Sequence, residues 1–159
     1  MITVAILTVS DSCSRGERED ISGRTIEELL PRDRFNVVAR GVVPDDRDTI
    51  AAELTKLADG GDVDLVLTTG GTGFGPRDVT PEATASVCDR MVPGFGELMR
   101  LEGFKKTPNA VLSRAAAGIR AQTLVVNLPG SPKAVRECLE LILGVLPHAV
   151  EMLHGGGHP

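Results

Sequence analysis

The stretch Leu67-Thr68-Thr69-Gly70-Gly71-Thr72-Gly73-Phe74-Gly75-Pro76-Arg77-Asp78 leads from an apolar, strand-like run into a helix start, through a loop that only glycine-rich backbone forms. Four glycines within residues 70–75 admit positive φ angles and remove the Cβ atoms that would hold a ligand away from main-chain N–H groups. The spacing is neither Gly-x-x-x-x-Gly-Lys-[Ser/Thr] nor Gly-x-Gly-x-x-Gly. Two readings of these residues stand: a loop that binds an anion, phosphate first, by its backbone, or a tight structural turn.

The flanking patterns say where such a loop sits. Residues 2–9 and 63–69 are apolar, β-branched runs of the kind buried in a parallel sheet, and 35–43 reads as a further strand. Between them, polar residues 12–23 read as a loop into a helix over 23–30, and 47–58 places Ile50, Ala51, Leu54, Leu57 and Ala58 on one helical face with Asp45 or Asp46 as N-cap. Thr80-Pro81-Glu82 predicts a helix to Arg90 with Thr80 as N-cap, and Ser131-Pro132 opens another by the same grammar. Residues 95–102 read as a short helix, 115–120 and 122–128 as extended segments with a tight connection, and Pro147 marks off a last helix. Strands alternating with amphipathic helices predict an α/β fold, three layers with a mostly parallel sheet flanked by helices on both faces. No internal repeat or linker interrupts 1–154, so one domain is expected, with 155–159 as a flexible C-terminal tail.

Composition narrows the partners. A chain of 159 residues with 42% hydrophobic and 25% charged residues is ordinary for one soluble domain. Its net charge of −5, with neither Trp nor Tyr, argues against a nucleic-acid surface. No apolar run is long enough to span a bilayer and the chain begins directly in a strand pattern, so a cytoplasmic protein is expected. Cys13, Cys88 and Cys138 fit neither a disulfide framework nor a zinc site. His154-Gly-Gly-Gly-His158 offers a weak metal grip or, more simply, a glycine tail.

In an open α/β sheet, ligands bind beyond the carboxyl ends of the strands, which selects loops 10–16, 44–46, 70–78 and 127–131. Asp45 and Asp78 each lie just past a strand and are candidates to bind Mg²⁺, directly or through water, beside a phosphate-binding backbone; each is equally readable as a cap or turn residue. Asn127-Leu128-Pro129-Gly130-Ser131 is a second strand-to-helix loop, and Ser113-Arg114 offers a hydroxyl and a cation.

Taken together, Thr8-Val9-Ser10-Asp11-Ser12, Val43-Pro44-Asp45, Thr69-Gly70-Gly71-Thr72-Gly73, Arg77-Asp78-Val79-Thr80-Pro81-Glu82-Ala83, Leu112-Ser113-Arg114 and Asn127-Leu128-Pro129-Gly130 resemble the MogA and MoaB proteins of molybdenum cofactor biosynthesis, most of all the G domain of gephyrin and its plant counterpart. The resemblance spans nearly the whole chain in order. It implies a homotrimeric molybdopterin adenylyltransferase, a nucleotidyltransferase that moves AMP from Mg·ATP to the terminal phosphate of molybdopterin and releases pyrophosphate, with the molybdate-inserting enzyme of the same pathway as a further partner. Position by position, it implies Asp45 and Asp78 as catalytic and Mg²⁺-binding; Ser12, Thr69, Gly70, Gly71, Thr72, Gly73 and Gly75 as the nucleotide and phosphate loop residues; and Ser113, Arg114, Asn127, Pro129, Gly130 and Ser131 as molybdopterin contacts. The alternative is a MoaB-like, non-catalytic pterin-binding protein or oligomeric scaffold. The insertase branch, which shares the Thr-Gly-Gly loop, is built on a much larger multidomain chain.

Overall fold

In the computed structural model, which describes residues 1–157, the elements follow in the order β1 (Ile2–Val9), α1 (Asp11–Ser14), α2 (Ile21–Leu29), β2 (Phe35–Val43), α3 (Arg47–Asp59), β3 (Leu65–Thr69), α4 (Thr80–Val87), β4 (Arg90–Met91), α5 (Pro93–Lys106), a 3₁₀ turn (Pro108–Leu112), β5 (Ala117–Arg120), β6 (Thr123–Leu128), α6 (Pro132–Ile142) and α7 (Leu146–Leu153). The sheet order is β2-β1-β3-β6-β5-β4. β1, β2, β3 and β6 pair in parallel, so their carboxyl ends share one rim, while β5 and β4 are antiparallel additions at the far edge.

Side chains alternate between two cores, as a pleat of period two requires. One face of the sheet, with Val4, Ile6, Leu65, Leu67 and Val126, packs on Ile26 of α2, Met99 of α5 and Val135, Leu139 and Ile142 of α6. The other, with Ala5, Leu7, Val66 and Val125, packs on Ile50 and Leu54 of α3 and Ala83 of α4. The predicted three-layer α/β architecture is therefore the observed one. The two aliphatic cores leave β1, β3 and β6 buried on both sides, which is why their sequences read as continuous apolar runs rather than alternating ones.

Several local expectations change. Ser10 caps a short α1 by accepting the Cys13 N–H at 3.2 Å, where a loop was expected. α2 starts at Ile21 because Asp20 caps it through Gly23 N–H. α4 ends at Val87, since Arg90 and Met91 leave the helix to pair with β5. Thr80 is not the cap of α4: its hydroxyl donates to the Gly70 carbonyl at 2.9 Å, so the glycine loop takes the group a helix end would have used. Ser131 does cap α6, accepting the Ala134 N–H at 3.2 Å. The tight connection after β5 is real, with Ala121 at φ 50° and its N–H held by Asp89 Oδ2. His158 lies outside the described residues, and so do the His154–His158 grip and the end of the 155–159 tail; His154 Nε2 itself sits 3.1 Å from Asp64 Oδ1, at the opposite end of the sheet from the glycine loop.

Candidate functional site

The glycine loop leaves β3 at the centre of the strand-end rim. Gly70 and Gly71 have φ angles of 98° and 70°. A Cβ on Gly70 would collide with the Val9 carbonyl, and one on Gly71 with the Thr80 hydroxyl, so glycine is required at both by conformation and by space. The loop is then tied down from three directions. Gly70 N–H donates to Leu128 O, Thr80 N–H to Gly71 O, and Arg114 N–H to Thr72 O. Arg114 reaches back with its side chain as well: Nε donates to Gly73 O at 2.8 Å, Nη2 to Asp78 O at 2.6 Å, and Nη1 pairs with Glu82. Within the described residues, no acceptor engages the N–H groups of Gly71, Thr72 or Gly73. They are donors left over on an otherwise fastened loop. Gly75 is different, because its N–H donates to Asp78 Oδ2 at 2.9 Å; that donor belongs to the loop itself and not to a phosphate.

Asp45 and Asp46 divide the roles that the sequence leaves open between them. Asp46 caps α3, accepting Thr49 N–H at 2.9 Å, which leaves Asp45 to face the loop. Asp45 Oδ2 accepts the Asp11 N–H at 2.9 Å, while Asp45 N–H donates to Asp11 Oδ1 at 3.0 Å. Burial raises the Asp45 carboxyl above the ordinary carboxylate value; the Asp11 N–H opposes that, and the like charges of Asp11 and Asp78 add to it. Asp11 moves the other way, lowered first by its hydrogen bond to Arg77. The Arg77 guanidinium grips Asp11 with Nε to Oδ2 at 3.0 Å and Nη2 to Oδ1 at 2.9 Å.

Two neighbouring hollows open at this rim. The first is a polar cleft of about 400 Å³ whose lining includes Ser10, Arg18, Asp45, Thr69, Gly70, Gly71, Asp78 and Gly130. The second, also about 400 Å³, is mainly apolar and lies between α5, the 3₁₀ turn and α6, with Met99, Ala110, Ser113, Ala115, Pro129 and Leu141 among its walls. Ser131 lines both. Each has the size of a small-molecule site. Thus the structure gathers Asp45, Asp78, Thr69, Gly70, Gly71, Gly130 and Ser131 in one cleft and puts Ser113, Pro129 and Ser131 in the next.

The remaining sequence candidates fall elsewhere. Ser12 is not in the cleft lining; its hydroxyl pairs with that of Ser10 at 3.3 Å, and Ser10 takes the place expected of it. Thr69 is buried with its hydroxyl donating to Pro129 O at 2.7 Å, so it joins the two strand-end loops. Thr72 is buried, and Arg114 is the brace of the loop rather than a free cation. Asn127 is wholly buried: Nδ2 donates to Thr68 and Thr84 hydroxyls, each at 3.0 Å, and Oδ1 accepts Ala116 N–H at 3.2 Å. Both amide hydrogens are used and the side chain is sealed from the cleft, so it ties β6 to β3 and α4 below the site. Sequence reasoning gave no role to Asp11, although it lies in the Thr8–Ser12 motif and in loop 10–16, and missed Arg18, which lines the cleft and carries no local pattern at all.

No three or more His, Cys, Asp or Glu side chains cluster as a metal cage among the described residues. Two carboxylates beside free backbone donors do suit Mg²⁺, which keeps much of its water and is commonly held by one or two carboxylates together with substrate phosphates.

Over residues 5–148 the sequence matches the family described as a probable molybdopterin binding domain. The chain belongs to the MogA/MoaB family of molybdenum cofactor biosynthesis proteins. It is 47% identical over 156 residues to a molybdopterin adenylyltransferase of Helicobacter pylori (strain J99), covering 97% of this chain and 89% of that one. The molybdopterin adenylyltransferase of Escherichia coli (strain K12) is 38% identical, with 97% and 86% covered. A crystal structure of the molybdopterin biosynthesis enzyme MoaB from Thermus thermophilus superposes with a TM-score of 0.92 at 54% identity, over 98% of each chain. The likeness therefore extends across the whole fold and takes in every loop of the rim.

Proposed function

We propose that this chain is a molybdopterin adenylyltransferase acting in molybdenum cofactor biosynthesis. The observation that carries the reading is the fastened glycine loop, with the N–H of Gly71 unengaged among the described residues and Gly71 lining the same cleft as Asp45 and Asp78. Relatives that bear this activity's name and align over nearly the full chain support it.

The chemistry asks for little beyond placement. An oxygen of the terminal phosphate of molybdopterin forms a bond to the α-phosphorus of ATP; the bond from that phosphorus to its bridging oxygen breaks, and pyrophosphate leaves with the electron pair. Two polyanions have to meet, so alignment and charge stabilisation are the main obstacles. The free N–H groups of the loop donate to phosphoryl oxygens without adding bulk. Arg18, with no ion-pair partner among the described residues, adds a cation to the cleft. Asp45 and Asp78 are the residues that would hold Mg²⁺, which supplies positive charge against the triphosphate. The apolar hollow beside Ser113 and Pro129 suits a flat heterocycle, and we assign it to the pterin, with Ser131 at the junction where the two phosphates approach.

The proposal extends to a cytoplasmic homotrimer that hands its product to the molybdate-inserting enzyme. Among the described residues no helix is long and apolar enough to cross a membrane, and the exposed side chains of Leu101, Phe104, Val111 and Leu112 favour a contact between copies.

Pyrophosphate release from ATP, Mg²⁺ and molybdopterin tests the reading. Asp78→Ala is expected to abolish release while the fold persists, because a loop carboxylate contributes little to the core. Wild-type turnover by that variant sinks the assignment, and tight pterin binding by the unaltered protein without any pyrophosphate points to the MoaB-like binding protein instead.

A further inference from the structure

Strand order puts the carboxyl end of β1 between those of β2 and β3. Asp11 is the second residue past that end, after Ser10, and touches the loops on both sides. Toward β2 it exchanges two hydrogen bonds with Asp45, N–H to Oδ2 at 2.9 Å and Oδ1 from N–H at 3.0 Å. Toward β3 its carboxylate is gripped through two nitrogens by Arg77, the residue that precedes Asp78. The side chain is not required by its own helix, because Ser10 already caps α1. Asp11 does not line the cleft.

We propose that Asp11 is a positioning residue: through Asp45 on one side and Arg77 on the other, it fixes the two loops that carry Asp45 and Asp78 at the spacing a Mg²⁺-bound triphosphate needs. This rests on the reading of Asp45 and Asp78 given above. Each half of the link has a distinct geometry. The Asp45 half is a closed ring of main-chain and side-chain bonds that sets the direction of the Asp45 carboxylate. The Arg77 half is a planar fork on a carboxylate, the arrangement that adds angular definition to charge. Without the Asp11 side chain, the Asp45 N–H loses its acceptor and only the Asp11 main-chain N–H is left to hold Asp45 Oδ2, while the segment around Asp78 loses the Arg77 fork that ties it to the segment after β1.

The test is the Mg²⁺ concentration for half-maximal pyrophosphate release, measured beside the dissociation constant for molybdopterin. Asp11→Ala is expected to raise the Mg²⁺ requirement about tenfold, the effect of one lost charge-assisted contact, with molybdopterin affinity within about twofold. Asp11→Asn keeps an oxygen for Asp45 N–H and should stay within about threefold of wild type. An unchanged Mg²⁺ requirement in Asp11→Ala overturns the proposal, as does an equal loss of molybdopterin affinity, which is what a merely structural residue gives. Should Asp11→Ala not fold, the exposed Arg77→Ala takes its place: a rise of about threefold supports the link and no rise overturns it. Inactive Asp45→Ala and Asp78→Ala beside an unaltered Asp11→Ala overturns this inference alone, whereas wild-type turnover by those two variants removes the parent reading and this inference together.

Discussion

Asp78 turns back on its own loop: its Oδ2 accepts the N–H of Gly75, three residues earlier, at 2.9 Å. The same oxygen lies where a Cβ on Gly73 or Gly75 would come within 2.8 or 2.9 Å of it. Those two glycines therefore leave room for a carboxylate, a different task from that of Gly70 and Gly71, which supply left-handed backbone.

Gly75→Ala separates these tasks. The added methyl meets only the Asp78 carboxylate, in an exposed loop with no positive φ to violate. Stability is expected to change by no more than about 0.5 kcal/mol. Turnover is expected to fall about 10–100-fold, since displacing a metal-binding carboxylate by a fraction of an ångström disturbs alignment. Normal turnover with normal melting would place the Asp78 side chain outside the chemistry.

Arg114 offers a second separation. Its fork reaches Gly73 O and Asp78 O, two carbonyls on opposite limbs of the loop, while Nη1 pairs with Glu82. A lysine keeps the charge and loses the fork. Arg114→Lys and Arg114→Ala should therefore lower kcat/KM for ATP alike, by about tenfold, through a loosened loop. If the lysine variant matches wild type, charge and not bracing is what the site takes from this residue, as the sequence reading supposed.

Asn127 is expected to matter for stability before it matters for ligand. Removing its amide leaves the half-buried Ala116 N–H without an acceptor and the buried Thr68 and Thr84 hydroxyls without their donor. Asn127→Ala should cost about 2–4 kcal/mol, read as a drop of roughly 5–15 °C in Tm. Molybdopterin affinity of the folded fraction should change by less than about threefold. A melting temperature equal to wild type, with affinity lost, would return Asn127 to the surface of the site.

The same contrast explains what could be read from the chain beforehand. Apolar patterning carried β1, β3 and β6 and both helical layers, because burial on two faces of a parallel sheet leaves a direct trace in residue type. β4 left none, being two exposed residues that form a strand only because β5 lies beside them. Thr80 and Ser131 share one local grammar and differ in outcome, since the Gly70 carbonyl claims the hydroxyl of the first. At the site, the loops at the strand ends were predictable from topology, and so were Asp45 and Asp78. Whether Asn127 is a ligand contact or an internal tie, and whether Arg114 is a free cation or a brace, depends on partners tens of residues away. The Asp11–Arg77 pair, 66 residues apart in sequence, is of the same kind.

The pH dependence follows from the two carboxyls that share a hydrogen-bonded ring. Asp45 is raised, by burial first and then by the charges of Asp11 and Asp78, with the Asp11 N–H opposing. A raised acid binds its proton more tightly in the folded protein, so its contribution to stability is fully present below the unfolded value and is lost as pH rises through the folded one. Ionised Asp45 is thus a stability cost at neutral pH that the site tolerates for its charge. Asp45→Asn is expected to raise Tm at pH 7 and to make no such difference near pH 3, while abolishing turnover at both. For the wild type, the acid limb of kcat/KM for Mg·ATP, which reports the free enzyme, should lie above the 3.8 of an ordinary aspartate. An acid limb at or below that value, or a lower Tm for Asp45→Asn at pH 7, would show that the Asp11 N–H outweighs burial at this carboxylate.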